Sequence, residues 1–153
     1  IKDYMRDGRE NATDEEIIHA AQVAQASDFV GEMKNGYDTL LSEGGLNLSG
    51  GQKQRLSIAR ALVRRPEIYV FDDSFSALDF KTDAKLRAAL SNETENSTVL
   101  IVAQRVGTVM SADRIIVLDE GTVAGIGKHE ELMKTCEVYR EIVSSQLSEE
   151  ELA

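Results

Sequence analysis

The feature that most constrains the fold is the run Ile-Tyr-Val-Phe-Asp-Asp at residues 68–73, which stands just after the only proline of the sequence. Four successive apolar residues that end on two carboxylates are typical of a short strand, buried on both faces, with polar residues at its carboxyl end. Pro66 ends a preceding helical pattern, in which apolar residues recur at Leu56, Ala59 and Val63. A helix that leads directly into a buried strand predicts an α/β fold.

The rest of the hydrophobic pattern extends this alternation. Thr13 followed by Glu16 has the form of a capping box and predicts a helix, and a shorter helix follows from Ser27. Beyond the strand the pattern predicts a helix over 81–90, strands over 98–103 and 114–118, and short helices over 130–134 and 138–147. This alternation indicates a parallel sheet. Residues 119–121 predict a tight turn into an antiparallel strand over 122–124 at the edge of that sheet.

Composition excludes several classes of protein. Of the 153 residues, 42% are apolar, which is enough for the core of one domain. Acidic residues outnumber basic ones 27 to 17, and the net charge of -10 argues against nucleic acid as a partner. The single cysteine, Cys136, cannot form an internal disulfide, which predicts a reducing compartment. The apolar runs are too short to span a bilayer, and no signal-peptide pattern is present.

A serine and two glycines, Ser49-Gly50-Gly51, stand directly before the helical pattern that ends at Pro66. The first amides of a helix have no intrahelical partners and lie at the positive end of its dipole. Two glycines there allow an anion to approach the backbone closely, and the serine hydroxyl adds a donor. The same residues also fit a plain N-cap serine with a glycine turn. Both interpretations stay open from these residues alone.

The wider string resembles the signature motif of the ATP-binding cassette (ABC) proteins, since residues 48–52 read Leu-Ser-Gly-Gly-Gln and are followed by Gln54-Arg55. Residues 68–73 resemble the Walker B strand of that family, 76–79 its D-loop and 102–105 its switch loop. Residues 42–45 are similar to the short loop that exporter-type members have before the signature. The resemblance covers essentially the whole chain. It implies a P-loop NTPase-like ABC ATPase core of α/β class with a helical signature subdomain.

One family element is missing, because no GxxxxGK[ST] phosphate-binding loop occurs in the sequence. The chain begins at Ile1 without Met, and we expect it to be the C-terminal portion of a nucleotide-binding domain. The expected parts are a helical subdomain with the exporter loop and signature helix over 1–65, an α/β core over 66–148 and an acidic tail over 149–153. By itself this chain is expected to bind ATP negligibly and to be inactive.

In the family, each ATP lies between the P-loop of one domain and the signature of another. The resemblance therefore implies that residues 49–52 face the γ-phosphate of ATP bound to a partner domain. Asp72 matches the position that helps to hold Mg²⁺, and Asp73 and Gln104 match catalytic positions at the chain's own ATP. Asp79 of the D-loop would lie near the dimer seam and couple the two sites. Two simpler interpretations remain open, in which Asp72 caps the turn after its strand and Asp79 caps the following helix.

Two of these positions depart from the family pattern. Asp73 replaces the usual Glu and is shorter by one methylene, and a misplacement of about 1 Å can slow a reaction on the order of 100-fold. Gln104 replaces the usual His, and a neutral amide cannot carry a proton as an imidazole can. Residues 74–75 also differ from the family, with no derivable effect. Together the first two departures resemble the degenerate half of a heterodimeric ABC exporter, whose own ATP site hydrolyses slowly.

The resemblance implies a second nucleotide-binding domain and a transmembrane domain as partners, at the cytoplasmic face of a bacterial membrane. Two alternatives remain. One is a soluble ABC ATPase that drives clamping rather than transport. The other is an inactive fragment that only associates with itself through an exposed sheet edge.

Overall fold

The computed structural model describes the backbone of residues 1–150 and their side chains, apart from those of residue 43 and residues 147–150. The contacts divide the chain into two compact units, Ile1–Val102 and Ala103–Ala153. The first unit holds α1 (Lys2–Arg6), α2 (Asp14–Val23), α3 (Ser27–Glu32), α4 (Gly50–Arg64), β1 (Ile68–Asp72), α5 (Phe80–Glu93) and β2 (Thr98–Val102). The second holds α6 (Val106–Val109), β3 (Ile115–Asp119), β4 (Thr122–Gly127), α7 (His129–Thr135) and α8 (Glu137–Glu150). The functional boundary expected after residue 65 stays a prediction.

Helix α2 begins where its capping signal predicts, whereas α1 was not predicted and has no side-chain cap. Thr13 Oγ1 accepts a hydrogen bond from the Glu16 amide at 3.3 Å, and the Glu16 carboxylate accepts one from the Thr13 amide at 2.9 Å. This confirms the predicted capping box at the start of α2. Helix α4 ends at Arg64, before Pro66, and the next residue, Arg65, takes the left-handed conformation with a φ of 51°.

The core of the first unit is built on the apolar face of α4. This helix packs against α1 and α2. Its buried residues recur every three or four positions and share that face. They are Leu56, Ile58, Ala59, Leu62 and Val63. Two single turns of 3-10 helix, Gly36–Asp38 and Glu43–Gly45, carry the chain from α3 to α4. The packing of α4 therefore fixes where its N-terminus lies relative to the rest of the unit.

Strands β1 and β2 pair in parallel, with Ile68 opposite Thr98 and Asp72 opposite Val102, and α5 is the crossover between them. This confirms the predicted βαβ unit. The prediction that both strands are buried on both faces is wrong. Along β1, Phe71 lies in the core, whereas Val70 is 62% exposed. Burial alternates because the helices of this unit cover one face of the sheet, so that β2 is also largely exposed.

Strands β3 and β4 form the predicted antiparallel hairpin, turning at Glu120 and Gly121, whose φ values of 45° and 77° are both positive. Two positive φ values in succession give a turn whose twist suits a two-stranded hairpin. The expectation that these strands extend the parallel sheet is wrong for the described residues, where the hairpin is a separate two-stranded sheet. One face of it packs against α7 and α8.

The two C-terminal helices are confirmed, although α8 is longer than predicted. Residues 149 and 150 continue α8, and the rest of the predicted acidic tail lies outside the described residues. None of the helices in residues 1–150 combines the length and the apolar character that a bilayer-spanning segment needs.

Candidate functional site

The N-terminus of α4 is capped by Ser49 and Gln52, two residues of the string that resembles the family signature. The Gln52 amide donates to Ser49 Oγ at 3.2 Å, and the Ser49 amide donates to Gln52 Oε1 at 2.9 Å. The first intrahelical bond runs from the Lys53 amide to the Ser49 carbonyl at 2.9 Å. The amides of Gly50 and Gly51 thus begin the helix without helical acceptors, at the positive end of a 15-residue dipole.

The two glycines differ in their surroundings. A Cβ at Gly50 would meet Ala77 Cβ at 3.5 Å, an ordinary contact distance. A Cβ at Gly51 would lie 2.9 Å from the Ala77 carbonyl oxygen, which is too close without movement of the backbone. Gly51 is therefore required by the approach of α4 to residue 77 of the same chain, independently of any ligand. Gly50 is free of that requirement.

Residues 73–77, which we call the 73–77 loop, follow β1 and carry the second carboxylate of the Asp-Asp pair. Asp73 has a φ of 48°, a left-handed conformation that Asp tolerates better than most residues. Its amide donates to the Val102 carbonyl at 3.0 Å. Its Oδ2 lies 3.0 Å from Ser76 Oγ, which also lies 3.1 Å from the Asp73 carbonyl oxygen. The Asp73 carboxylate is thus held within its own loop.

Gln54 joins α4 to this loop, a role that the sequence pattern did not indicate. Its Nε2 donates to the Asp73 carbonyl and to Ser76 Oγ, both at 3.0 Å. Its Oε1 accepts from the Ala77 amide at 2.9 Å. Gln54 stands within the string that resembles the signature motif, but the spacing of residues does not tell which loop a side chain reaches.

Arg55 braces the same helix on its other side. Its Nη1 donates to the Gln25 carbonyl at 2.7 Å, and its guanidinium lies 4.6 Å from the centre of the Phe29 ring. Burial lowers the pKa of Arg55, and the negative charge of Asp79 opposes that shift. Since an arginine stays protonated at physiological pH, this contact holds a positive charge close to the first turns of α4.

Asp72 ends β1, and its exposed carboxylate lies at the carboxyl end of the parallel pair. Its carbonyl oxygen accepts a bond from Ser74 Oγ at 3.3 Å. Among the described residues no group of three or more His, Cys, Asp or Glu side chains is placed to hold a metal ion. A single exposed carboxylate fits the way in which Mg²⁺ binds, since this ion takes one or two carboxylates together with phosphate and water oxygens.

Asp79 is the N-cap of α5. Its Oδ1 accepts from the Thr82 amide at 2.9 Å and its Oδ2 from the Thr82 hydroxyl at 2.7 Å. Hydrogen bonds from the Thr82 amide and hydroxyl lower the pKa of the Asp79 carboxyl. The simpler interpretation of Asp79 as a helix cap is therefore confirmed, and its role in coupling two sites stays a prediction.

Gln104 belongs to the second unit, whereas the other predicted site residues belong to the first. It is exposed and stands between β2 and α6. Gln146 of α8 donates to the Gln104 carbonyl and accepts from the Val106 amide, both at 2.7 Å. The backbone beside Gln104 is thus fixed by a side chain that lies about 40 residues further along the chain, a link that sequence spacing did not indicate.

The family model described as ABC transporter matches residues 3–76 of the chain. The chain is also 47% identical over 150 residues to the ABC transporter ATP-binding protein YfiB of Bacillus subtilis, a match that covers 98% of the chain and 26% of YfiB. The chain belongs to the ABC transporter family. It is 44% identical over 146 residues to the human ATP-binding cassette sub-family B member 5, across 95% of the chain and 12% of that protein.

A solved structure, a bacterial Atm1-family ABC exporter with ATP bound, superposes on this ABC transporter chain with a TM-score of 0.92 and 37% identity. The match covers 95% of the chain and 26% of the exporter. The chain therefore spans about a quarter or less of the length of these relatives. These findings confirm the predicted family, its exporter type and the P-loop NTPase-like ABC ATPase fold.

Proposed function

We propose that this chain is part of the ATP-binding and hydrolysing domain of an ABC exporter and serves two ATP sites. Residues 49–52 face the γ-phosphate of ATP held by a partner domain. Asp72, Asp73 and Gln104 face ATP held by the P-loop of the chain's own domain. The partner domain is of a different kind, so that the assembly is a heterodimer with one fast and one slow site.

The observation that carries this proposal is the N-terminus of α4. Two glycine amides point out of the first turn without helical acceptors, and a helix N-terminus attracts anions. Ser49 Oγ accepts from the Gln52 amide, which leaves its own hydrogen free to donate to a phosphate oxygen. The cap and a bound phosphate are therefore compatible uses of the same side chain.

Slow hydrolysis at the chain's own site is supported by the side chain at residue 73. The Asp73 carboxylate is one methylene shorter than that of Glu. Phosphoryl transfer depends on positioning and electrostatics, so a carboxylate with less reach orients the attacking water poorly. Gln104 supplies a neutral amide at a position where a base or a cation would promote hydrolysis.

The fit to magnesium rests on Asp72. It is the residue that would hold the ion beside the phosphates, at the carboxyl end of β1. When bound, Mg²⁺ neutralises charge on the phosphate oxygens. Asp72 itself contributes a hard oxygen ligand and a fixed position at the end of a paired strand.

The membrane partner is supported by two exposed leucines. Leu40 and Leu46 are 80% and 85% exposed and flank the turn at Glu43–Gly45 that resembles the exporter loop. Exposed apolar side chains of this size suit docking on another protein. We assign this surface to the transmembrane domain of the exporter, and we propose that the ATP-binding domain lies at the cytoplasmic face of a bacterial membrane. The net charge of -10 argues against nucleic acid as a partner.

A second candidate behaviour applies to the chain taken by itself. The uncovered face of the first sheet exposes large apolar residues, namely Ile68, Val70, Leu100 and Val102. Such a face favours association with a second copy, and without a P-loop the chain has no means of holding the triphosphate. We therefore expect the isolated chain to self-associate in analytical ultracentrifugation and to show no micromolar ATP binding by calorimetry. A monomer that binds ATP would contradict this behaviour.

The test compares two capping residues in the complete, assembled transporter. Ser49→Ala and Thr13→Ala each remove an N-cap hydroxyl, at a cost of about 1 kcal/mol in stability. Only Ser49→Ala also removes a donor to a phosphate, and hydrogen bonds to charged groups are worth about 1.5–3 kcal/mol, or roughly 10- to 100-fold in rate. We expect ATP turnover to fall by that factor in Ser49→Ala and to stay unchanged in Thr13→Ala.

The same assay with Asp73→Asn tests the division of labour between the two sites. Because the chain's own site contributes little to turnover, Asp73→Asn should reduce it less than Ser49→Ala does. Equal losses from both changes, or an unaffected Ser49→Ala variant, would contradict the proposal.

A further inference from the structure

We infer that Gln54 is a positioning residue, which holds the 73–77 loop and the Asp73 carboxylate in register with the signature helix. The inference rests on the proposed function, because it gives that function a physical link between the residues serving the partner's ATP and those serving the chain's own. Gln54 itself touches no reacting group.

The geometry uses both ends of the Gln54 amide. The Ala77 amide can only donate and the Asp73 carbonyl can only accept, so their positions fix which end of the side chain is oxygen and which is nitrogen. A residue with three such bonds cannot rotate without breaking at least two of them. The 73–77 loop is thus attached to α4 at its first, fourth and fifth positions.

The link continues to the carboxylate. Gln54 Nε2 donates to Ser76 Oγ, so the single hydroxyl hydrogen of Ser76 is directed away from Gln54 and towards Asp73. Ser76 Oγ lies 3.0 Å from Asp73 Oδ2 and 3.1 Å from the Asp73 carbonyl oxygen, so both oxygens are placed to accept from the one hydroxyl. Two successive hydrogen bonds therefore connect the signature helix to Asp73, whose carboxylate stands at the proposed catalytic position. Through them Gln54 helps to hold that carboxylate in its direction.

The backbone contact at Gly51 reinforces the link. Because α4 approaches Ala77 so closely that a Cβ at residue 51 would lie 2.9 Å from its carbonyl oxygen, the helix and the loop have little freedom to slide past each other. Loss of the amide leaves the contact at Gly51 but frees the carboxylate.

The experiment uses the complete transporter, with the partner's catalytic carboxylate removed so that single-turnover hydrolysis reports the chain's own site. The variants are Gln54→Met, Ser76→Ala and their double. Gln22→Met makes the same chemical change at an exposed position of α2 and serves as the control. Each single variant should slow hydrolysis about 10-fold, which lies between the effect expected from the loss of one hydrogen bond and the effect expected from a misplacement of about 1 Å. The KM for ATP should change less than about 2-fold.

The double variant separates a shared link from two independent defects. If both residues act through one chain of hydrogen bonds, the double variant should also lose about 10-fold rather than about 100-fold. Losses that multiply, or single variants that unfold at a lower temperature but hydrolyse at the normal rate, would overturn the inference.

A second measurement does not depend on hydrolysis. Amide hydrogen exchange at Ala77 in the ATP-bound complex should accelerate about 10-fold in Gln54→Met and stay unchanged in Gln22→Met, because the Ala77 amide loses its acceptor. Unchanged exchange in Gln54→Met would overturn the inference even if hydrolysis is too slow to follow. An unaffected Ser49→Ala variant, by contrast, would count against the proposed function and leave these exchange rates as they are.

Discussion

Alanine at Gly50 and alanine at Gly51 should have opposite effects on stability, although the two glycines are neighbours in the first turn of α4. A Cβ at residue 50 meets Ala77 Cβ at an ordinary 3.5 Å. A Cβ at residue 51 would lie 2.9 Å from the Ala77 carbonyl oxygen, so the backbone must yield by about 0.5 Å before contact becomes normal. A comparison of the two variants therefore separates the effect of packing against Ala77 from the effect of a side chain on the approach of an anion to the turn.

The magnitudes follow from these contacts. Alanine is favoured over glycine in a helix by about 0.5–1 kcal/mol, which both variants gain. Overpacking against a backbone that has little room costs about 1–3 kcal/mol, which only Gly51→Ala incurs. We expect Gly50→Ala to raise the free energy of unfolding by about 0.5–1 kcal/mol. Gly51→Ala should lower it by up to about 2 kcal/mol.

The assay is thermal unfolding of the complete ATP-binding domain, in which 1 kcal/mol moves the Tm by about 2–4 °C. ATP turnover of the assembled transporter is measured alongside. Gly50→Ala should unfold at a slightly higher temperature and yet turn over more slowly, because a side chain on the first turn of α4 limits how closely a phosphate can approach its amides. A Gly51→Ala variant as stable as Gly50→Ala would refute the packing argument. A fully active Gly50→Ala variant would refute the approach of an anion to this turn.

Two further predictions concern carboxylates. Asp73→Glu restores the reach that the family pattern provides, so we expect single-turnover hydrolysis at the chain's own site to rise by about 10-fold or more, and a rate that stays the same or falls would show that reach is not what limits it. Asp79 has a pKa below its usual 3.8, because Thr82 donates hydrogen bonds to its carboxylate. The contribution of the ionised carboxylate to stability is therefore complete above pH 3.8 and is lost as the pH falls through the lower pKa of the folded state. The Tm difference between the unaltered domain and Asp79→Ala should therefore shrink on acidification below about pH 4, and a difference independent of pH would exclude the cap as its cause.

Local signals in the sequence predicted much of the fold. The capping box at Thr13, the stop at Pro66 and the turn at residues 119–121 each depend on neighbouring residues, and each is found where the pattern indicates. The burial of individual residues was harder to predict, because it depends on which surfaces meet in space. The apolar run at residues 68–71 has no alternation, yet Val70 is exposed and Phe71 is buried.

The candidate site divides in the same way. The cap formed by Ser49 and Gln52 follows from a spacing of three residues. The role of Gln54 depends on a contact with a loop about 20 residues away, and that of Gln146 on one about 40 residues away. Side-chain amides reach in any direction that packing allows, so their partners become visible only in the folded chain. Motif resemblance named the loops but not the side chains that hold them.

The most direct test of the account is to trap hydrolysed nucleotide in the assembled transporter with vanadate and a photoreactive ATP analogue, then to identify which polypeptide carries the label. ATP that turns over lies on the partner's P-loop, opposite the signature of this chain, so the trapped label should be found mainly on the partner. Label found mainly on the polypeptide that contains this chain, or shared equally between the two, would contradict the assignment of a fast and a slow site.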